Sequence, residues 1–451
     1  MRKNKLSLLA ITAIVCLLAS QAYSQWTFRG FVVGAGTFPS ISVYDSNKAI
    51  IAGGPNGSAF VSRTTNGGTT WTSTGTSGIT LEVYCVWAVD DNTIYVGDGG
   101  ASGGTGGNAK VYKTTNGGTL WSVILSTGGT LGFINGIVFS KTNPQVGVCQ
   151  SDPPAGSGVY WIAKTTNNGT SWTPEAPTGS GSASSQNSIV CIDAQFYGFG
   201  LNSAPARVGV TSNGGTSWTY STLVGAGGTF ISGFAMKDDK LNGFASGNTL
   251  ASTLARTTNG GTSWFSQSVG TGMTGYCNIK WVHGSNLVYI TGAVGAGGCV
   301  KRSTDGGVTW AQMTTGGITG ITHMEYWKAP SGVVYLYAVA ADGSVIRYVD
   351  NSLVGIDPNN QTVPNSFALE QNYPNPFNPS TTIKYSVPQS GNVTIKVYNS
   401  LGEVVRTVVD NYHTTGNYIE SVDMDGMSSG IYYYTMLAGD FKDTKRMVLV
   451  K

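Results

Sequence analysis

Thr64-Thr65-Asn66-Gly67-Gly68-Thr69-Thr70-Trp71 is one copy of a phrase that occurs six times in the chain. The other copies run from Thr114 to Trp121, Thr165 to Trp172, Thr211 to Trp218, Thr257 to Trp264 and Ser303 to Trp310. Their shared pattern is Ser/Thr-x-Asn/Asp-x-Gly-x-x-Trp, and the tryptophans are spaced 50, 51, 46, 46 and 46 residues apart. Self-similarity at such a period signals a propeller or a solenoid. The phrase has the chemistry of a hairpin. Asn66, Asn116, Asn167, Asn213, Asn259 and Asp305 can each fold a side chain onto the backbone in an Asx-turn, and a following glycine supplies positive φ. Trp71, Trp121, Trp172, Trp218, Trp264 and Trp310 then start the returning strand, where burying the ring contributes roughly 3–5 kcal/mol.

Upstream of each phrase lies an alternating strand, as in Ala109-Lys110-Val111-Tyr112-Lys113. Two more precede it, as in Val83 to Val89 and Thr93 to Val96, joined by Asp90-Asp91-Asn92. Four strands per repeat make one propeller blade. A seventh blade follows from the two ends of the array. Trp26 lies 45 residues before Trp71 without a phrase ahead of it, and Gly343 to Asp350 reads as the strand before a phrase without a tryptophan behind it. Joined, they complete a blade and close the ring, leaving no exposed sheet edge. The expected fold is all-β, a seven-bladed β-propeller over residues 25–352.

Composition agrees with many short strands and tight turns. The 451 residues include 64 Gly, 11 Trp, 22 Tyr and 15 Phe, with only 11% charged residues. Residues 1–24 read as a signal peptide: Arg2, Lys3 and Lys5, then an apolar run from Leu6 to Leu18, then Ala22-Tyr23-Ser24. Without those three cations, 23 basic residues face 23 acidic ones, so the mature chain has no electrostatic reason to bind nucleic acid. No membrane-spanning segment is expected in the mature chain. Five cysteines remain without CxxC spacing, some of them in apolar runs such as Val83-Tyr84-Cys85-Val86-Trp87, and they read as small buried hydrophobes. Cys277 with Cys299 is the pair to examine for a disulfide.

After Asp350 the texture changes. Residues 353–365 form a polar linker that includes Asp357-Pro358-Asn359-Asn360-Gln361. Then comes Tyr373-Pro374-Asn375-Pro376-Phe377-Asn378-Pro379, whose prolines forbid helix and central strand. Six strand-like segments follow between Thr382 and Val450, enough for a small immunoglobulin-like β-sandwich over 366–451. This segment resembles the type A C-terminal sorting domain of the type IX (Por) secretion system. The resemblance rests on Tyr373 to Pro379, Val393 to Asn399, Gly402, Gly430 to Tyr434 and the closing Lys445 to Lys451. It implies a Bacteroidota-type bacterium, the type IX machinery as partner, and release or surface attachment after passage through the periplasm.

The repeated phrase resembles the Asp-box, or BNR repeat, of sialidases, sortilin-type receptors and photosystem II assembly factors. Only Asp305 carries the family's usual Asp, which argues against calcium in the boxes. No metal or other cofactor is expected. A sialidase would need an arginine cluster. Arg63, Arg256, Arg302 and Arg347 instead fall at a repeated strand position and read as solvated edge charges. A glycosidase could use two carboxylates. Asp98, Asp152 and Glu175 are the candidates on the loop-rich face, with Glu82, His323 and Glu325 near the starts of innermost strands. Trp87, Trp161, Trp281 and Trp327 stand outside the repeat slot and are available for core packing or sugar stacking. The first reading is therefore a secreted or cell-surface binding or adhesion protein, a monomer recognising a glycan or surface polymer. The alternative is a carbohydrate-active enzyme on the loop-rich face.

Overall fold

The computed structural model describes residues 26–353 and 366–450, except 35, 37–38, 55–56, 101–107, 130–131, 154–158, 176, 178–185, 204, 224–230, 248–252, 271–272, 295–296, 390 and 414–415. The signal peptide and most of the linker lie outside these residues, as does the Cys277 side chain. The described chain is all-β, and it divides into two compact units, the second made of the chain from Asp350 onward together with Ala329–Val334. The first contains seven four-stranded antiparallel sheets, the seven blades of a propeller. Blade 2 is representative: Val83–Ala88 lies innermost, followed outward by Ile94–Asp98, Lys110–Thr114 and Ser122–Ser126. In blade 7, Ile321–Lys328, Val334–Ala340 and Ser344–Asp350 receive Thr27–Phe31 as their outer strand, with Thr27 opposite Arg347 and Phe28 opposite Ile346. The ring thus closes by pairing its first strand with its last.

All six boxes use the same bonds. In the first, Gly68 N–H donates to the Thr64 hydroxyl oxygen at 2.9 Å, and that hydroxyl donates to Asn66 Oδ1 at 3.1 Å. Asn66 Oδ1 also accepts the Thr70 N–H at 3.0 Å. Gly67 and Gly68 both have positive φ, which their missing Cβ permits. Gly67 N–H then reaches the Asn47 carbonyl, tying the box to the turn between the blade's first two strands. These tasks need one acceptor oxygen, which Asn supplies as well as Asp does. The second side-chain atom tolerates either sign. Asn259 Nδ2 donates to the Ser263 hydroxyl, whereas Asp305 Oδ2 accepts from the Thr309 hydroxyl. That hydroxyl rotates to suit its partner. The Thr309 side-chain and backbone bonds push the Asp305 carboxyl down to about 2.

Blades 1, 2, 3 and 7 are also clamped to the next blade, and here the sequence expectation of solvated edge charges is corrected for Arg63 and Arg347. Arg256 and Arg302 instead bond within their own blades, to Gln267 and the Tyr289 hydroxyl. Arg63 Nη2 donates to the Asp91 and Gly117 carbonyls of the next blade at 2.7 and 3.1 Å. Lys113 reaches the Asn168 carbonyl, Lys164 that of Gly214, and Arg347 that of Ser46 across the closure. The box tryptophans fill the same seams. Trp172 and Trp218, for example, pack on the apolar clusters between blades 2 and 3 and between blades 3 and 4. Trp26 is 3% exposed, lies against Tyr348 at 5.8 Å, and donates its backbone N–H to Thr314 of blade 6. Trp121 donates likewise to Ser77 of the preceding blade. Cys85, Cys149, Cys191 and Cys299 are buried free thiols within the sheets.

The second unit is a β-sandwich. One sheet orders Ala368–Leu369, Ser380–Val387 and Gly416–Asp423; the other orders Val404–His413, Gly391–Tyr398, Gly430–Ala438 and Phe441–Leu449. Ile383, Val393, Ile395, Tyr434 and Met447 are among its buried core. The proline-rich segment is pinned to the last strand. Phe377 is buried, its N–H donates to Val448 and its carbonyl accepts from Val450, while Asn375 Oδ1 accepts the Val448 N–H. Tyr373 stands exposed beside it.

Trp26→Ala should destabilise the chain as much as Trp121→Ala, about 3–5 kcal/mol each in equilibrium urea unfolding. A Trp26→Ala loss below about 1 kcal/mol would show that the N-terminal strand does not hold the ring closed.

Candidate functional site: the axial cavity

In a propeller the ends of the innermost strands surround a central bore. Here, the ends leading to the box-bearing face enclose a cavity of about 70 Å³. Trp87, Trp281 and Tyr326 give it an aromatic wall, and Lys141, Lys280 and Glu325 bring charge into it. The charged residues come from blades 3, 6 and 7. Glu325 is buried, and its two oxygens meet Lys141 Nζ at 3.1 Å and Lys280 Nζ at 2.8 Å. Burial alone would push its carboxyl upward, but the two ammonium groups win and hold it well below the usual carboxylate range. Lys141 also donates to the Tyr326 carbonyl at 2.9 Å and sits 4.6 Å from the Trp87 ring centre and 4.7 Å from that of Tyr326. Burial lowers its pKa, partly offset by Glu325. The Tyr326 hydroxyl is fixed between the Trp281 carbonyl and the His283 N–H.

His323 precedes Glu325 by two residues, on the same face of its strand. It is buried, and its Nδ1 accepts the Ile41 N–H at 2.9 Å and lies 3.1 Å from the Ser40 hydroxyl. Because a backbone N–H can only donate, the neutral ring must carry its proton on Nε2. That Nε2 has no hydrogen-bond partner among the described residues. Burial first, then Lys280, lowers the His323 pKa to about 3.

The sequence candidates lie elsewhere. Asp98 ends the second strand of blade 2, fully buried, and accepts the N–H groups of Gly100 and Lys110 and the Tyr112 hydroxyl. Asp152 follows the second strand of blade 3 and accepts from Asn135 Nδ2. Burial raises both carboxyls. Glu175 belongs to the outer strand Thr173–Glu175, where it pairs with Lys164 at 3.0 Å and accepts from the Tyr197 hydroxyl of the next blade. It therefore joins two blades rather than facing the loop-rich end. No hydrogen bond or ion pair links these three acids among the described residues. Glu82 accepts the Gly57 N–H. Trp327 packs on Tyr335, whereas Trp87 and Trp281 line the cavity. His323 and Glu325 lie deeper in the bore than their strand starts suggest. The sequence reading missed Lys141 and Lys280. Their signal was an ionisable residue set beside apolar strand residues, as in Ile279-Lys280-Trp281.

Comparison with known proteins bears on the two units separately. Residues 371–451 match the secretion system C-terminal sorting domain. That domain implies export by the type IX system, through the periplasm, to the medium or the outer surface. The propeller is similar to a solved structure of YCF48 bound to D1 peptide, with a TM-score of 0.54 and 17% identity, covering 75% of this chain and 98% of that one. It is also similar to YCF48 from Cyanidioschyzon merolae, with a TM-score of 0.46 and 18% identity, covering 72% and 98%. At these identities the likeness is one of fold. Among proteins of curated function, none matches the chain.

The buried histidine sets a pH dependence. A folded pKa of about 3, against 6.5 unfolded, means that the unfolded chain binds the proton first. The stability from neutral His323 is complete above 6.5 and is lost as pH falls toward 3, by about 1.4 kcal/mol per unit. His283, also lowered to about 3 by burial, adds a second contribution of the same sign. Between pH 6.5 and 5, His323→Gln should remove roughly half of this histidine-linked slope in denaturant unfolding. An unchanged slope would refute a buried neutral His323.

Proposed function

We propose that this is an exported binding protein, monomeric, with the propeller as recognition platform and the sandwich as its export address. The observation that carries this reading is the axial cavity, which combines aromatic walls with fixed charges on a rigid ring. Small-ligand sites typically combine an apolar concavity with a few placed polar groups. The solved relative with a bound peptide supports the same use of the fold as a platform. The hydrolase alternative draws less support, because Asp98, Asp152 and Glu175 are each engaged by neighbouring backbone or side-chain groups. The expected partner is an extracellular glycan or surface polymer.

The mature protein should be applied to an array of glycans and bacterial surface polymers, and each retained ligand assayed for released reducing ends. Retention without release is the expected result. Release of reducing sugar that is abolished by Asp152→Asn would establish the hydrolase instead.

A further inference from the structure

The charges around the cavity do not balance at depth. Lys141 and Lys280 share one carboxylate, Glu325. The other acid on the lining, Asp238, accepts the Gly284 N–H and forms no ion pair with either lysine among the described residues. His283, beside it, is pushed down to about 3 by burial and so is neutral at physiological pH. The two ammonium groups at depth are left with one carboxylate between them. Uncompensated charge is costly away from bulk water.

That charge is available at Lys280. Its ammonium has three donors, and among the described residues the only one assigned goes to Glu325. Lys141 differs, since it donates to both Glu325 and the Tyr326 carbonyl and sits over two rings. His323 adds an Nε2–H with no partner in the same field of charge. A cavity of about 70 Å³ accommodates a carboxylate head and a few atoms behind it. The aromatic rings suit an apolar or sugar-ring continuation toward the mouth.

We propose that the cavity is a carboxylate-binding subsite in which Lys280 supplies the paired charge and the Trp87, Trp281 and Tyr326 rings hold the adjoining part of the ligand. The ligand is a monoanion, either a small organic acid or the uronate end of an acidic glycan. This deepens the binding reading by naming the chemistry at one site.

The test is calorimetric titration of the mature full-length protein with acetate, glucuronate and glucose. Both acids should bind and glucose should not. Glucuronate binding tighter than acetate would identify an acidic sugar as the source, and acetate binding alone would identify a small organic acid. Lys280→Met leaves the Lys141–Glu325 pair balanced, so it should keep the fold and weaken carboxylate binding by about tenfold or more. If that variant does not fold, a crystal of the unaltered protein soaked with acetate decides, with carboxylate density expected beside Lys280. Equal affinity for glucose and glucuronate, or no carboxylate binding together with no such density in the bore, overturns the proposal. Acetate binding without retention of any glycan on the array would defeat the glycan reading while leaving the subsite intact.

Discussion

The hydroxyl that opens each box organises the propeller. In all six boxes a Thr or Ser oxygen accepts a glycine N–H four residues on and donates to Oδ1 of the Asn or Asp between them. This closes a turn whose backbone would otherwise leave polar groups unpaired near buried sheet. The turn then sets three further features. The N–H after its Asn or Asp meets the carbonyl of the neighbouring turn in the same blade, its close-packed final glycine admits the preceding blade, and its tryptophan enters the seam. Gly307 illustrates the second feature, since a Cβ there would lie 2.2 Å from Phe244 of blade 5. Local turn chemistry is thereby converted into attachment between blades. In the first three boxes the preceding cation adds a hydrogen bond to the next blade, and Arg347 carries the same bond across the closure.

Much of this architecture was legible because it repeats. The Asn-Gly-Gly turn and the tryptophan after it are local, and their recurrence alone counted six blades. The seventh was legible from Trp26 and the orphan strand at Gly343, two halves that fit only each other. The proline-rich segment was likewise legible as a rigid lead-in, although its attachment to Val448 and Val450 was not. The seam cations were misread for a physical reason. Their partners are backbone carbonyls one repeat away, and carbonyls leave no trace in residue identity.

The cavity was harder still. Lys141, Lys280 and Glu325 sit on three different blades, and none occupies a position the repeat defines. Acids were sought on the loop-rich face because long connections usually carry function. Asp98 and Asp152 instead satisfy backbone and amide donors, and Glu175 joins two blades at the rim. The bore collects its charges at the opposite end, where the short turns and boxes hold the strand ends in place. A site there inherits the rigidity of the ring, which is what a fixed charge pattern needs in order to discriminate between ligands.

The central claim is that neutral hydrogen-bonded turns, rather than bound ions, hold the blades. Five boxes offer an amide where a hard divalent ion would seek a carboxylate, and their Oδ1 atoms are already occupied by hydroxyl and backbone donors. Thermal unfolding of the mature protein in chelator and in millimolar calcium tests this most directly. The account predicts the same melting temperature in both. A clear fall in chelator, restored by calcium, would contradict it.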